Sequence, residues 1–184
     1  MMRKIRDLML MFILFAMCGW LYEVLYTLGA WGIFENRGVL FGPWLPLYGF
    51  GGAFLYAVFY PVMHRPAPLW RRLFRVPFVF VGMCLLTTLI ELGASYFLEA
   101  IGFDFRYLWD YIERPMNFEG RIALSASLWF GALGLLMSYG IVPLYRRLIG
   151  LKDQVVVDVI AWPVIVVFLT DAIARIWLGS NYMA

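Results

Sequence analysis

Long runs of apolar residues alternate with short polar segments along the whole chain. A helix needs about 20 mainly apolar residues to cross the hydrocarbon core of a bilayer. Four runs reach that length, and the second run along the chain is shorter. The pattern predicts an all-α, polytopic membrane helix bundle of about five transmembrane helices, forming one integral membrane domain over residues 1–184. The predicted helices lie near residues 8–28, 48–63, 76–101, 122–145 and 155–178.

The segment that follows the first predicted helix departs from this pattern. Residues 36–52 read NRGVLFGPWLPLYGFGG, which is apolar but too rich in glycine and proline to begin as a regular helix. Irregular backbone at membrane depth is tolerated only where protein or a water-filled cavity covers it. We expect either a re-entrant or tightly packed element on the outer side or, with equal weight, an ordinary loop with apolar packing.

Composition supports the membrane assignment and removes several kinds of chemistry. Hydrophobic residues make up 64% of the chain and charged residues 15%, against about 45–50% and about 25% in soluble domains. The single histidine, His64, excludes multi-histidine metal sites, so we predict no metal and no cofactor. The sequence contains no GxxxxGK[ST] motif of P-loop ATPases, and its net charge of +3 is too small to indicate nucleic acid.

The basic residues predict an orientation because they accumulate on the cytoplasmic side of membrane proteins. Three regions on one predicted side hold ten of the fifteen lysines and arginines. We therefore expect the N-terminus in the cytoplasm and the C-terminus outside. The residues are Arg3, Lys4 and Arg6, then Arg65, Arg71, Arg72 and Arg75, and finally Arg146, Arg147 and Lys152.

Ionisable residues inside predicted spans are costly and therefore point to function. Glu23 and Glu91 must be protonated, paired or placed in a wet cavity, and Arg37 and Arg121 are the natural partners. These residues predict an outward-facing polar cavity for a cation, a zwitterionic solute or a lipid headgroup. The structural alternative is that buried ion pairs fix the register of the bundle.

The spacing of other polar residues adds further expectations. Thr88, Glu91, Ser95 and Glu99 share one face of the third predicted helix. Asp171 and Arg175 lie one turn apart, as an ion pair does. The acidic residues near or beyond the predicted interfaces are expected to face water, and they are Glu99, Asp104, Glu113, Glu119 and Asp158.

Several motifs carry a family resemblance. The stretches GWLYEVLY at 19–26, ENRGVLFGPWLPLYGFG at 35–51, IELGASYFLEAIG at 90–102 and WDYIERPMNFEGRIAL at 109–124 resemble, in order, the ABC-transporter type IV (CmpB) family of small bacterial multi-pass membrane proteins. The resemblance covers roughly residues 12 to 143, and residues 150–184 add little to it. It departs at Ile112 and Glu113, which replace small polar and acidic residues.

The candidate site residues are those that the family resemblance indicates and those whose charge would be costly inside a membrane span. Residues expected to bind substrate or relay charge differ from those expected to shape the cavity, and no catalytic residue is assigned. The first group is Glu23, Asn36, Arg37, Glu91, Asp110, Asn117 and Arg121, and the second is Gly38, Gly42, Pro43, Tyr48, Trp109 and Tyr111.

Three functions stay open at this point. The leading one, which the resemblance implies, is a permease-like transport component of the bacterial plasma (inner) membrane. The second is an intramembrane enzyme acting on a lipid or lipid-linked substrate at the outer leaflet, since a carboxylate in an apolar site can act as a general acid or base. The third is a non-catalytic assembly subunit. Expected partners are the lipid bilayer, a small solute or lipid headgroup, and a second copy or other membrane subunits, without nucleic acid.

Overall fold

The chain is built almost entirely from helices, as the apolar pattern predicts. The computed structural model describes residues 2–36, 38, 40–150 and 153–182, without the side chains of residues 107, 148 and 179–182. The helices are α1 (Met2–Trp31), α2 (Pro46–His64), α3 (Leu69–Ala100), α4 (Leu124–Leu135), α5 (Val142–Gly150) and α6 (Gln154–Tyr182).

Five helical stretches are long and apolar enough to span a membrane, which confirms the predicted fold class. Most of them are longer than the apolar pattern indicates, because the helices extend into polar flanking residues that lower the hydropathy but not the helical hydrogen bonding. The stretches are Met2–Trp31, Pro46–His64, Leu69–Ala100, Leu124–Arg147 and Gln154–Leu178.

The fourth stretch is not a uniform α-helix. A π-helical turn over Leu136–Ile141 separates α4 from α5. Pro143 follows two residues after this turn and lacks the backbone N–H that would continue the regular hydrogen-bond ladder. The proline therefore gives a local reason for the irregular turn, which the apolar pattern alone does not reveal.

The connection between α3 and α4 contains the only strands of the described chain. A short 3-10 helix, Phe105–Tyr107, is followed by β1 (Asn117–Phe118) and β2 (Ile122–Ala123). The strands pair antiparallel, with Asn117 opposite Ala123 and Phe118 opposite Ile122. This hairpin delivers the chain directly into α4.

The helices contribute to two compact units. The first unit comprises Met1–Phe54 and Val142–Ala184, and the second comprises Leu55–Ile141. That the whole chain acts as one membrane domain stays a prediction.

In the first unit, α1 and α6 run in the same direction. Arg6 contacts Asp158 near the start of both helices, and the rings of Phe12 and Phe168 lie 5.6 Å apart further along. A parallel arrangement is what a five-span topology requires of its first and fifth helices. The core of this unit contains Ile13, Ala16, Leu40, Trp44, Ile165 and Phe168.

The glycine- and proline-rich segment folds back along α1 within this unit. The backbone N–H of Leu45 donates to the carbonyl of Ala16 at 3.0 Å, fifteen residues before α1 ends at Trp31. That difference corresponds to about 22 Å along a helix. Because Leu40 and Trp44 are also buried in the core, the packed element is observed and the ordinary loop is not.

The second unit packs α2 and α3 around its own apolar cluster. Leu55 and Phe59 on α2 meet Val79 and Met83 on α3, and all four are buried. Helix α4 also contacts α3, and Gly131 allows this approach because a Cβ there would clash with the Cys84 side chain. This packing fixes the helix that carries Glu91.

Candidate functional site

The polar face that the spacing predicts on α3 is present and is covered by the chain that follows it. Thr88, Glu91, Ser95 and Glu99 succeed one another at intervals of one turn. Each of them contacts a residue between Tyr111 and Ser127. We call these four residues the polar ladder.

Glu91 occupies the middle of the polar ladder and is only half satisfied. Its Oε1 accepts a hydrogen bond from the Tyr111 hydroxyl at 2.9 Å. Its Oε2 is buried and has no hydrogen-bond partner among the described residues. One turn earlier, the Thr88 and Ser127 hydroxyls lie 2.5 Å apart. One oxygen of the carboxyl group is therefore held by a hydrogen bond, and the other is buried without one among the described residues.

Arg121 closes the ladder near the end of α3. Its Nη2 donates to both carboxylate oxygens of Glu99, at 2.8 and 2.7 Å. Its Nε donates to Glu119 at 3.1 Å and its Nη1 to the Ser95 hydroxyl at 3.3 Å. The guanidinium also stacks over the rings of Tyr96 and Phe105, 4.3 and 4.7 Å from their centroids. The residue is buried, with 8% of its surface exposed.

The charge partners of Arg121 differ from those expected. Arg121 pairs with Glu99 and Glu119, and Glu91 takes a tyrosine hydroxyl. The expectation that Glu99 and Glu119 only face water is wrong, because both carboxylates compensate the buried guanidinium. The hydrogen bonds that Arg121 donates to the Glu99 carboxylate are the main cause that raises the pKa of Arg121, and burial opposes them. Arg121 therefore remains a cation at any physiological pH.

The remaining predicted residues of this segment shape it from within. Trp109 Nε1 donates to the carbonyl of Arg121 at 2.9 Å, which ties the segment to the hairpin. Asp110 accepts from the backbone N–H of Ile112 at 2.9 Å. Asn117 donates to the carbonyls of Ile112 and Arg114, at 3.1 and 2.8 Å. Asp110 and Asn117 thus make turn-forming hydrogen bonds within the loop, and Tyr111 reaches the ladder.

Gly120 is required by the backbone of this hairpin. Its φ is +69°, and a Cβ at this position would lie 2.7 Å from the Asp110 carboxylate. Its carbonyl accepts the backbone N–H of Tyr111 at 2.9 Å. The glycine therefore helps to place both the tyrosine and the arginine that contact α3.

In the first unit, Glu23 has a tyrosine partner of its own. The Tyr48 hydroxyl donates to Glu23 Oε1 at 2.5 Å. Gly19 permits this contact because it has no Cβ, and a Cβ at this position would collide with the Tyr48 ring. Glu23 and Glu91 thus share the same local chemistry, a carboxyl group on a membrane-length helix that accepts from a phenol.

The packed glycine- and proline-rich segment takes its polar contacts from two helices. Asn36 accepts from Trp20 Nε1 at 2.7 Å and donates to the carbonyl of Phe41 at 3.2 Å. Asp171 on α6 accepts from the backbone N–H groups of Phe41 and Gly42, at 3.1 and 2.8 Å, and from Trp44 Nε1 at 2.6 Å. One carboxylate thereby satisfies two backbone donors of an irregular segment and one side-chain donor.

The other predicted residues of this segment have different positions. Gly38 has a φ of +109°, which favours glycine. Pro43 lines an apolar groove of about 580 Å³ together with Val166 and Val167. Arg37 lies outside the described residues, so its predicted role stays a prediction.

Four residues on α1 and α6 have contacts that the sequence alone did not indicate. Arg6, assigned only to the charged N-terminus, is 1% exposed and donates to Asp158 at 2.5 Å and to Gln154 at 2.9 Å. Asp158, expected only to face water, is its ion-pair partner. Asp171 binds the packed segment. Arg175 lies over the Phe41 ring, and no ion pair between Arg175 and Asp171 is found among the described residues. The sequence signal for such a pair is a charged residue on one apolar helix and a residue of opposite charge at a corresponding position on another apolar helix.

Comparison with known proteins identifies the family. No curated protein and no solved structure matches the chain. The sequence profile of the family described as "Putative ABC-transporter type IV" matches residues 10–176, which extends beyond the motifs into α6. This membrane-spanning chain therefore belongs to the ABC-transporter type IV (CmpB) family.

Proposed function

We propose that the protein is the membrane component of a transport system and that Glu91 binds a proton or a small cation during transport. The observation that carries the proposal is the buried Oε2 of Glu91, which has no hydrogen-bond partner among the described residues. The family name supports a role in transport.

The chemistry follows from the cost of charge in an apolar environment. An ionised carboxylate with an unsatisfied oxygen is expensive inside a membrane-spanning helix, and a proton or bound cation removes that cost. Tyr111 holds Oε1 and so fixes the direction of Oε2. The group is therefore prepared to take up and release one positive charge.

The rest of the polar ladder supplies a route for that charge. From Thr88 to Glu99 the ladder extends eleven residues, about 16 Å along α3. Arg121 binds Glu99 and Ser95 and thereby holds the covering segment against this face. Glu23, with its Tyr48 partner, is proposed as a second charge-binding carboxyl group.

The proposed setting is the plasma (inner) membrane of a bacterium. The proposed orientation, which the basic residues support, has the N-terminus and the α2–α3 connection in the cytoplasm and the C-terminus outside. On that topology Glu23, Glu91 and Glu99 lie toward the outer leaflet, where solute would enter. Permease activity and an outward-facing cavity are parts of this proposal.

The test measures ion flux through the purified full chain in proteoliposomes. A trapped pH-sensitive dye reports proton movement and a trapped sodium dye reports Na⁺ movement, each driven by an imposed membrane potential. The wild type is expected to conduct one of these ions, and Glu91→Gln is expected to abolish the flux. Glu113→Gln removes an equal charge from an exposed loop position and is expected to leave the flux unchanged.

Other results would overturn the proposal. Absent flux in the wild type, or equal flux in Glu91→Gln, rejects charge binding at Glu91. A lipid precursor that accumulates in a deletion strain and is not cleared by Glu91→Gln favours the intramembrane enzyme. A stoichiometric membrane partner that co-purifies equally with wild type and Glu91→Gln, together with full complementation by that variant, favours the assembly subunit.

A further inference from the structure

A cavity of about 400 Å³ lies at the connection between α2 and α3, and none of the four residues of the polar ladder lines it. Helix α2 ends at His64 and α3 begins at Leu69, so the connection is only four residues long. The short connection brings basic residues from both helices around one opening. The lining consists of Met63, His64, Arg65, Pro66, Arg72, Arg75 and Tyr139.

Two arginines of the lining are anchored through single nitrogen atoms. Arg72 Nε donates to the carbonyl of Ala67 at 2.8 Å. Arg75 Nη1 donates to the carbonyl of Arg65. Because both acceptors are backbone atoms, these contacts hold the guanidinium groups in place without neutralising them. Among the described residues no hydrogen-bond acceptor is found for the remaining N–H groups of both side chains, which leaves them for a ligand.

The cavity carries positive charge without a compensating acid. No aspartate or glutamate lines it. Within the described chain, the side chain of Arg65 makes no ion pair or hydrogen bond. Three guanidinium groups around one space repel one another unless an anion occupies it. The arrangement contrasts with Arg121, whose charge is balanced by Glu99 and Glu119.

The geometry points to an anion with several oxygen atoms. A guanidinium presents a planar fork of donors that matches phosphate in a bidentate manner. Three such forks exceed the two oxygens of a carboxylate, whereas a phosphate group offers enough acceptors. We propose that this cavity binds a phosphate group.

The surroundings of the cavity favour a lipid as the carrier of that phosphate. The first turns of α3 expose large apolar side chains, among them Leu69, Leu73 and Phe74 at 71%, 63% and 73%. Trp70, a residue type enriched at membrane interfaces, lies in the same turn. The cavity therefore sits where acyl chains meet headgroups, and on the predicted topology that is the cytoplasmic leaflet. Basic pockets at this level bind anionic headgroups.

The experiment is lipid binding to the purified full chain in detergent, measured by native mass spectrometry. Phosphatidylglycerol, phosphatidylcholine and inorganic phosphate are titrated separately. Phosphatidylglycerol is expected to bind in preference to phosphatidylcholine. Arg65→Gln combined with Arg72→Gln is expected to weaken its binding about fivefold for each charge removed.

Matched variants separate the cavity from general surface charge. Arg71→Gln removes the same charge from the same turn of α3 but lies outside the lining, where Arg71 stacks on Trp70. It is expected to change binding less than about twofold. Arg65→Gln alone alters a side chain with no polar contact in the described chain, so it tests binding where the double variant fails to fold.

The outcomes distinguish the two sources of phosphate and the failure of the proposal. Preferential binding of phosphatidylglycerol that requires Arg65 and Arg72 assigns the cavity to a lipid headgroup. Saturable binding of inorganic phosphate with the same requirement, but without lipid preference, assigns it to a soluble phosphate compound. Equal binding of every ligand by wild type and by Arg65→Gln overturns the proposal.

Discussion

The hydroxyl of Tyr111 holds one oxygen of Glu91 at 2.9 Å, while the other oxygen of that carboxyl group is buried without a partner among the described residues. The tyrosine comes from the loop that covers α3, so the loop and the helix are joined at a position where a charge is costly. This relationship makes Glu91 sensitive to changes in either element.

We expect Tyr111→Phe to destabilise the protein because it leaves both carboxyl oxygens of Glu91 unsatisfied. The loss of a buried hydrogen bond typically costs about 1–3 kcal/mol of unfolding free energy. Thermal or denaturant unfolding in detergent measures this loss. In the double variant with Glu91→Gln, the effects are expected to be non-additive by about 0.5–3 kcal/mol. Strict additivity would show that the two side chains do not interact.

Replacing Arg121 with lysine is expected to introduce a pH dependence that the wild type lacks. The raised pKa of Arg121 means that its stabilising charge is complete below its unfolded pKa and is lost only above the folded value, beyond the alkaline working range. A lysine titrates near pH ~10.4. Melting temperatures between about pH 8 and about pH 11 should fall for Arg121→Lys relative to wild type. Parallel curves would contradict this expectation.

Glu99 is expected to matter more than Glu119 for the arginine contact. Both carboxylate oxygens of Glu99 accept from Arg121, and its side chain is 38% exposed, against 57% for Glu119. Solvent screens the more exposed pair. Glu99→Gln should therefore lower the melting temperature more than Glu119→Gln, and the reverse order would show that geometry and burial do not control this site.

Asp171 is expected to hold the packed segment in place. Asp171→Ala removes the acceptor of two backbone N–H groups and of Trp44 Nε1. We expect a loss of about 1–3 kcal/mol and faster proteolysis between residues 36 and 45. Thr170→Ala alters an exposed neighbour and serves as the control. Equal protease resistance of the two variants would contradict the assigned role.

Two glycines on α1 offer a matched pair of substitutions. A Cβ on Gly19 would clash with the Tyr48 ring, whereas a Cβ on Gly29 meets nothing within 4 Å. Gly19→Ala is expected to displace Tyr48 from Glu23 and to cost about 1–3 kcal/mol. Gly29→Ala should be neutral or slightly stabilising, since alanine is the better helix former by up to about 1 kcal/mol. Chemical denaturation of both variants provides the comparison.

The predicted topology has a direct test of its own. Reporter domains that are active on only one side of the membrane are fused after the α2–α3 connection and at the C-terminus. The two fusions are expected to report opposite sides, with the α2–α3 connection in the cytoplasm. Reports from the same side would refute the five-span orientation that the basic residues predict.

The sequence was sufficient for the helices and for one face of the site. Apolar runs specify membrane helices because a chain inside the bilayer must satisfy its own backbone hydrogen bonds. The length of an apolar run and the helical period of its polar residues can both be read from neighbouring positions in the sequence. The polar ladder on α3 follows from the same helical period. The ion-pair partners of Arg121 do not follow from the helical period. Arg121 can reach any carboxylate that the hairpin brings near, and only the folded loop brings Glu99 and Glu119 next to it.

By itself, then, the sequence determined an all-α chain with five helices of membrane-spanning length and a family, since these properties depend on composition, local periodicity and motifs. The tertiary structure decided which charges meet. It paired Arg6 with Asp158 and gave Asp171 to the backbone of the packed segment. These contacts join residues more than a hundred positions apart in the sequence, and buried donors take whichever acceptor the packing of the helices provides.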